Sequence, residues 1–318
     1  MYLGIEIGGT KLQLGVGAGD GSPLIALERA EVDPLLGAQG ILARIEALGK
    51  PLIDKHSITC IGIGFGGPVE PAAGRVTTSH QIAGWDAFPL VDWSKNLLGC
   101  ETVLGNDCDV AALAEARFGA GKNRSRVFFV TVGTGVGGGF VIDGRSDGRG
   151  RPAIAEIGHL RVGLDAGELD GTVESFASGR GIERHLRQRL NVPRKTEDMS
   201  ELFAFCAGDV ESLTTKQIVA FAEEGNPLAL DVWQQAVKTL GWGIAQVITL
   251  LAPEVVVVGG GVSLSGEDLF FAPLRNAVRE HVFPPLVGSY EILPATLGEQ
   301  VVIHGALALA ACEGLIDD

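Results

Sequence analysis

Basic residues, cysteines and long apolar runs are all scarce in this chain. Its 25 lysines and arginines are outnumbered by 39 acidic residues, for a formal net charge of −14. Overall charge therefore supplies no affinity for a phosphate backbone, and no nucleic-acid partner is expected. The five cysteines, Cys60, Cys100, Cys108, Cys206 and Cys312, are odd in number and scattered, without the close pairs that zinc or thioredoxin-type sites require. Free thiols in a reducing compartment fit this usage. The longest apolar stretch, 247–258, is interrupted by Pro253 and Glu254 and is too short to span a bilayer. The opening MYLGIEIGG carries neither a basic segment nor a long apolar run, so nothing in it resembles an export signal. The reading is a cytoplasmic protein without a membrane partner.

Glycine is present in excess, at 46 of 318 residues, roughly double the usual ~7%. There is no Gly-X-Y period and only 14 prolines, which excludes collagen and low-complexity disorder. The length favours two domains, at roughly 100–200 residues each. Strand-like patterns at 2–7 and 12–17 flank Gly8-Gly9-Thr10-Lys11, and a third run from Leu24 follows the turn signal Asp20-Gly21, together a β-meander. Helical patterns at 35–55 and 90–98 alternate with strand-like runs at 58–65 and 101–104, and an Asx cap opens a helix over 107–118. Further helices are expected at 181–190, 214–223, 227–251 and 300–312, with a β-branched strand at 254–258. The class is α/β.

A second opening, VFFVTVGTGVGGGFVIDG, lies 125 positions after YLGIEIGGTKLQLGVGAG and sets Gly133 against Gly8. One repeat of this length suggests two similar α/β domains facing each other, with the ligand in the cleft between them. The polar, glycine-bearing stretch 119–126 marks the boundary.

Gly133-Thr134-Gly135-Val136-Gly137-Gly138 satisfies G-x-G-x-x-G, but a dinucleotide site needs a helix next, and Gly139 to Gly144 reads as a second strand and a turn. A Rossmann site is rejected. What remains is a glycine hairpin whose backbone N–H groups can approach phosphate oxygens, a feature shared with Gly8 to Lys11. Gly121-Lys122 is not a P-loop, because Ala116 and Asn123 stand where glycine and Ser/Thr are required. Gly259, Gly260 and Gly261 leave bare backbone at a strand end, suited to a nucleoside or to a tight packing turn. Asn106-Asp107 reads either as an N-cap pair or, for Asp107, as a carboxylate that accepts a proton from an attacking hydroxyl, with Asp109 solvated beside it. Glu156-Ile157-Gly158-His159 reads as a surface loop or as a grip on a polyol, and Glu174 stands ahead of an apparent helix 175–177.

Together these segments resemble the ROK family of sugar kinases and sugar-responsive repressors, within the actin-like ATPase superfamily. GIEIGGTK, GFGGPVEPAAGRV with the later Gly84-Trp85, GNDCDVAALAE, GTGVGGG, AEIGHL, VESFASG and VVVVGGGV follow in family order. The resemblance implies two actin-like (ribonuclease H-like) domains with an interdomain cleft, 1–118 plus helix 301–318 and 119–300. It implies a glucokinase-like enzyme that uses ATP and Mg²⁺ to phosphorylate a hexose primary hydroxyl, most simply glucose O6, and that forms a homodimer. Asp107 would be the general base, with Asn106, Glu156, His159, Glu174 and the backbone at Gly66 and Gly67 holding the sugar. Gly8, Gly9, Thr10, Lys11, Thr134 and Gly135 would cradle the phosphates, and Gly259 to Gly261 would lie against the adenosine.

Two departures from the family pattern stand out. Glu6 replaces the usual Asp, keeping an indirect role toward Mg²⁺ but moving the carboxylate outward by one methylene. Residues 160–173 lack the family's zinc-binding cysteines, so zinc is not expected and His159 needs other support. Alternatives are a kinase for fructose, mannose or an N-acetyl amino sugar, a polyphosphate-dependent glucokinase, and a catalytically weak sugar sensor.

Overall fold

The computed structural model describes residues 1–79, 81–147, 153–164, 171–191 and 197–313. Part of the cysteine-free stretch, 165–170, and the chain end at 314–318 lie outside the described residues. Strands β1 (Tyr2–Ile7), β2 (Lys11–Gly17) and β3 (Ala26–Glu31) lead into helix α1 (Gly37–Lys55), strand β4 (Cys60–Phe65) and the ribbon β5 (Val69–Glu70) and β6 (Arg75–Val76). Helix α2 (Leu90–Leu98), β7 (Glu101–Asn106) and α3 (Asp107–Phe118) follow. A second meander, β8 (Arg126–Val132), β9 (Val136–Ile142) and β10 (Arg145–Ser146), precedes five helices: α4 (Val173–Ala177), α5 (Gly179–Leu190), α6 (Glu197–Phe205), α7 (Thr215–Glu223) and α8 (Pro227–Leu251). The chain ends through β11 (Val255–Gly259), α9 (Ala272–His281), β12 (Glu291–Pro294) and α10 (Val301–Glu313).

The two large sheets have the orders β3-β2-β1-β4-β7 and β10-β9-β8-β11-β12, one scheme used twice. In the first, β1 runs antiparallel to β2 and parallel to β4, which runs parallel to β7. This is the duplicated α/β architecture expected from the repeat. Two compact units result: Met1–Phe129 with Gly139–Ala155 and Ala295–Asp318, and Val130–Gly138 with Glu156–Pro294. Among the described residues no helix is long and apolar enough to cross a membrane.

In the first unit, strand alternation gives the sheet two unlike faces. Leu3, Ile5, Ile7, Leu12, Leu14, Val16, Ile61, Ile63 and Phe65 are buried in a core shared with Ile41 and Ile45 of α1 and Leu98 of α2. At about 1.5–3 kcal/mol per buried side chain, this face carries the sheet's cohesion. The opposite face is nearly bare. Gly15, Gly4 and Gly62 pair in one cross-strand row, and a Cβ on Gly4 or Gly62 would meet the backbone oxygen of Ile303 at 2.9 Å or of Ala306 at 1.9 Å. Helix α10 therefore lies directly on sheet backbone. Glycine at these positions is what permits the approach.

Strand β7 runs two residues beyond the expected end at 104, so Asp107 opens α3 with no intervening loop. At the other end of α3, Glu115 is fully buried. Its carboxylate accepts hydrogen bonds from the backbone N–H groups of Ala120, Thr296 and Leu297 at 2.8–2.9 Å, tying two loops to the helix. In the second unit, α8 is the central helix: Trp233 is buried and donates its indole N–H to the Leu269 carbonyl at 2.8 Å.

Two glycine-to-alanine changes should have opposite signs. Gly62→Ala forces a methyl group into a backbone oxygen of α10 and should cost about 1–3 kcal/mol or more. Gly49→Ala, inside α1, meets only methyl groups of Leu14 and Leu98 at 3.6 Å and should stabilise by about 0.5–1 kcal/mol through helix propensity. Urea midpoints measured on the two purified variants check both signs.

Candidate active site

The first unit gathers one set of predicted residues. The turn after β1 is closed by the Gly8 N–H donating to the Lys11 carbonyl at 3.0 Å. The N–H groups of Gly9 and Thr10 have no hydrogen-bond partner among the described residues, as an anion nest requires. A Cβ on Gly66 would lie 3.3 Å from Asp107 Oδ2 and 3.5 Å from Gly8 Cα. The Asp107 carboxylate thus stands over the Gly66 backbone beside the first glycine turn, and only glycine leaves that space open.

Asn106 combines both of its expected roles. Its Oδ1 caps α3 by accepting from the N–H groups of Cys108 (2.8 Å) and Asp109 (3.4 Å), and its Nδ2 donates to the Gly67 carbonyl at 3.0 Å. A carboxamide nitrogen has two hydrogens, so one remains for a ligand. Asp109 is half-buried rather than solvated, because α3 starts flush against the strand end.

Glu6 and Lys11 face each other across the first hairpin. Lys11 Nζ lies 3.2 Å from Glu6 Oε1, and Gln13 Nε2 donates to Glu6 Oε2 at 2.7 Å. Gln13 also donates to the Glu299 carbonyl at 3.2 Å and accepts from Arg29 Nε at 3.0 Å. Arg29, Gln13 and Glu6 are direct cross-strand partners, so register alone aligns the chain of bonds. No local sequence motif singles out Gln13, a polar residue inside a strand whose partners lie on neighbouring strands.

The second unit gathers the other set around Val136, the first residue of β9. The Val136 N–H donates to Glu174 Oε2 at 2.8 Å. A Cβ on Gly158 would fall 2.1 Å from the Val136 oxygen, so the Glu156–His159 turn packs on the same residue. That turn is a single 3-10 turn over Ile157–His159. Glu174 lies inside the first turn of α4, not ahead of it, because Thr172 caps the helix two residues earlier than expected.

Glu156 and His159 remain open to solvent. Surrounding protein nevertheless raises the Glu156 pKa above the usual carboxylate value, with Glu174 adding to the shift and His159 opposing it. The three side chains therefore lie within electrostatic reach of one another. The loop that carries His159 is closed by backbone bonds from Val173 N–H to the Leu160 carbonyl (2.9 Å) and from Val162 N–H to the Gly171 carbonyl (2.8 Å). No group of three His, Cys, Asp or Glu side chains suited to a metal ion occurs among the described residues.

The second glycine turn is closed by the Gly133 N–H donating to the Gly135 carbonyl at 2.9 Å. The N–H groups of Thr134 and Gly135 have no partner among the described residues. A Cβ on Gly260, whose φ is +90°, would meet the Val132 oxygen at 2.4 Å, so the Gly259–Gly261 backbone lies against the strand end that carries this turn.

Burial holds the Glu6 carboxyl above its ordinary value of 4.5, although Lys11 and Gln13 pull the other way. The folded state therefore keeps this proton where the unfolded chain has lost it. The stabilising contribution is complete below about pH 4.5 and is lost as pH rises through the folded pKa. Denaturant titrations from acid to neutral pH should show the stability difference between wild type and Glu6→Gln moving in the variant's favour. A difference independent of pH would mean that Glu6 titrates at its ordinary value.

The ROK family model matches residues 2–313. A glucokinase from Thermotoga maritima is 32% identical over 314 residues, covering 96% of each chain. Among solved structures, a ROK family glucokinase from Streptomyces griseus in complex with glucose and AMPPNP superposes with a TM-score of 0.79 at 33% identity, covering 97% of this chain and 98% of that one. A ROK hexokinase from Thermus thermophilus gives a TM-score of 0.80 at 27% identity, covering 98% of both chains. With similarity of this strength from one end of the sequence to the other, the chain belongs to the ROK family.

Proposed function

We propose that this sugar kinase transfers a phosphoryl group from ATP to the primary hydroxyl of a hexose, with glucose O6 as acceptor and Asp107 as general base. The observation that carries the assignment is the Asp107 carboxylate standing over Gly66 beside Gly8, next to a turn with two N–H groups that have no partner among the described residues. Relatives named glucokinases, similar over 96–97% of their length, and a solved relative in complex with glucose and AMPPNP support the sugar and the nucleotide.

Within this reading, O6 attacks phosphorus, an O–P bond forms, the bond to the leaving diphosphate breaks, and the hydroxyl proton passes to the Asp107 carboxylate. Such transfer asks the protein mainly for positioning and charge neutralisation. The remaining Asn106 N–H, the Gly66 and Gly67 backbone, Glu156, His159 and Glu174 Oε1 bind sugar hydroxyls. Carboxylates accept hydrogen bonds from hydroxyls, and the amide donates to them. The two glycine turns and Lys11 take the phosphates, and the Gly259–Gly261 backbone takes the nucleoside.

The donor set suits Mg²⁺ carried mainly by phosphates and water, since both Glu6 oxygens already accept hydrogen bonds or an ion pair from Gln13 and Lys11. When bound, the ion neutralises charge on the phosphates. The family resemblance adds a cytoplasmic homodimer to this reading.

A coupled assay of product formation with hexoses and amino sugars, each tested with ATP and with polyphosphate, should give the highest kcat/KM for glucose with ATP. Another best sugar or donor would replace that pair. Sugar binding without turnover on either donor would make the protein a sensor. Asp107→Asn should keep sugar affinity and lose about 10²–10⁴-fold in kcat. Turnover at the wild-type rate would remove Asp107 from the base role.

A further inference from the structure

Gln81, a residue without a role in the assignment above, rests on the first glycine turn. A Cβ built on Gly9 would meet Gln81 Oε1 at 1.7 Å and its Cδ at 2.8 Å, with the Gln81 Cβ farther off at 3.5 Å. The carboxamide itself, not its stem, covers the Cα of Gly9. A side chain at position 9 would require this carboxamide, the far end of a flexible side chain, to swing aside.

The backbone under Gln81 is well held. Ser79 Oγ accepts from the N–H groups of Gln81 and Ile82 at 3.3 and 3.2 Å. Ile82 and Trp85 are buried, and Trp85 meets Phe65 and Phe88 edge-on at 5.0 and 5.3 Å between ring centroids. The Ala83 carbonyl accepts from the Ala38 N–H at 2.8 Å. With these backbone groups held, the exposed Gln81 side chain reaches the turn whose Gly9 and Thr10 N–H groups have no partner among the described residues.

An apolar side chain would cover Gly9 equally well. A carboxamide brings two N–H donors without a charge, and rotation about its last bond, a broad torsion, exchanges oxygen for NH₂ at the turn. Beside two backbone donors, it completes a cluster suited to an anion. We infer that Gln81 is a further donor-binding residue, whose NH₂ hydrogen-bonds the phosphate chain seated on the Gly9–Thr10 turn. This rests on the proposed reading of that turn as a phosphate site.

The test compares wild type with Gln81→Asn, Gln81→Ala and Gln81→Glu. It measures KM for ATP and for the sugar, kcat, binding of a non-hydrolysable ATP analogue by calorimetry, and the thermal midpoint as a folding control. Gln81→Ala should weaken analogue binding about tenfold, as expected for losing one hydrogen bond to a charged group, and leave the sugar KM in place. Asn should fall between Gln and Ala. Glu has the same shape but no donor and a negative charge, so it should bind the analogue more weakly than Ala.

A residue that only covers the turn predicts that Gln81→Ala binds the analogue as tightly as wild type or more tightly, because the carboxylate of Gln81→Glu repels phosphates in either case. That result overturns the inference, as does a loss confined to the sugar KM. Wild-type turnover on the sugar panel is measured alongside. A wild type inactive on every sugar counts against the proposed reaction, whereas an active wild type with unmoved analogue affinity in Gln81→Ala counts against Gln81 alone.

Discussion

The packing of helix backbone on sheet backbone is the constraint on which the first unit depends. Gly15, Gly4 and Gly62 form one bare row across three strands, and the next row reads Arg29, Gln13, Glu6, Gly64 and Gly105. Val110 of α3 presses on both Gly64 and Gly105, and a Cβ on Gly305 of α10 would fall 1.8 Å from the Val110 oxygen. Side chains at these glycines would lift both helices from the sheet. Asp107 is the first residue of α3, so its position beside Gly66 and Gly8 follows from how deeply that helix sits. The glycine excess is therefore part of the site's geometry.

The second row also marks where bare backbone gives way to a polar ladder. A buried carboxylate is costly unless its oxygens are satisfied, and Glu6 is satisfied by Lys11 on one side and Gln13 on the other. Gln13 then bonds the Glu299 carbonyl just before α10. One run of hydrogen bonds thus joins three strands to the segment leading into the helix that the glycine row admits. Lys11, at the first glycine turn, is oriented by a carboxylate whose other oxygen is held by Gln13.

In the second unit, Val136 has a comparable place. Its N–H holds Glu174 and its carbonyl backs Gly158, so one residue at a strand start sets both carboxylates and the histidine turn. Beneath them, Gly243 of α8 lets Ile157 and Val173 approach, at 3.6 and 3.1 Å from the position its Cβ would take. Together with the backbone bonds that close the loop after His159, this packing orients the turn through protein contacts.

Much of this was legible in the sequence, because the signals were local. Alternating apolar residues around glycine turns gave the meanders, the strand after Gly138 ruled out a dinucleotide site, and the spacing of Gly8 and Gly133 anticipated two sheets of one topology. Residue type and motif order were enough to nominate Asp107, Glu156, His159 and Glu174. Neighbours distant in sequence were not legible: Gln81 over Gly9, Glu115 holding Thr296 and Leu297, and Gln13 reaching Glu299. Those pairings depend on which backbones approach within van der Waals distance, and one sequence encodes that only through the absence of side chains at glycines whose partners it does not name.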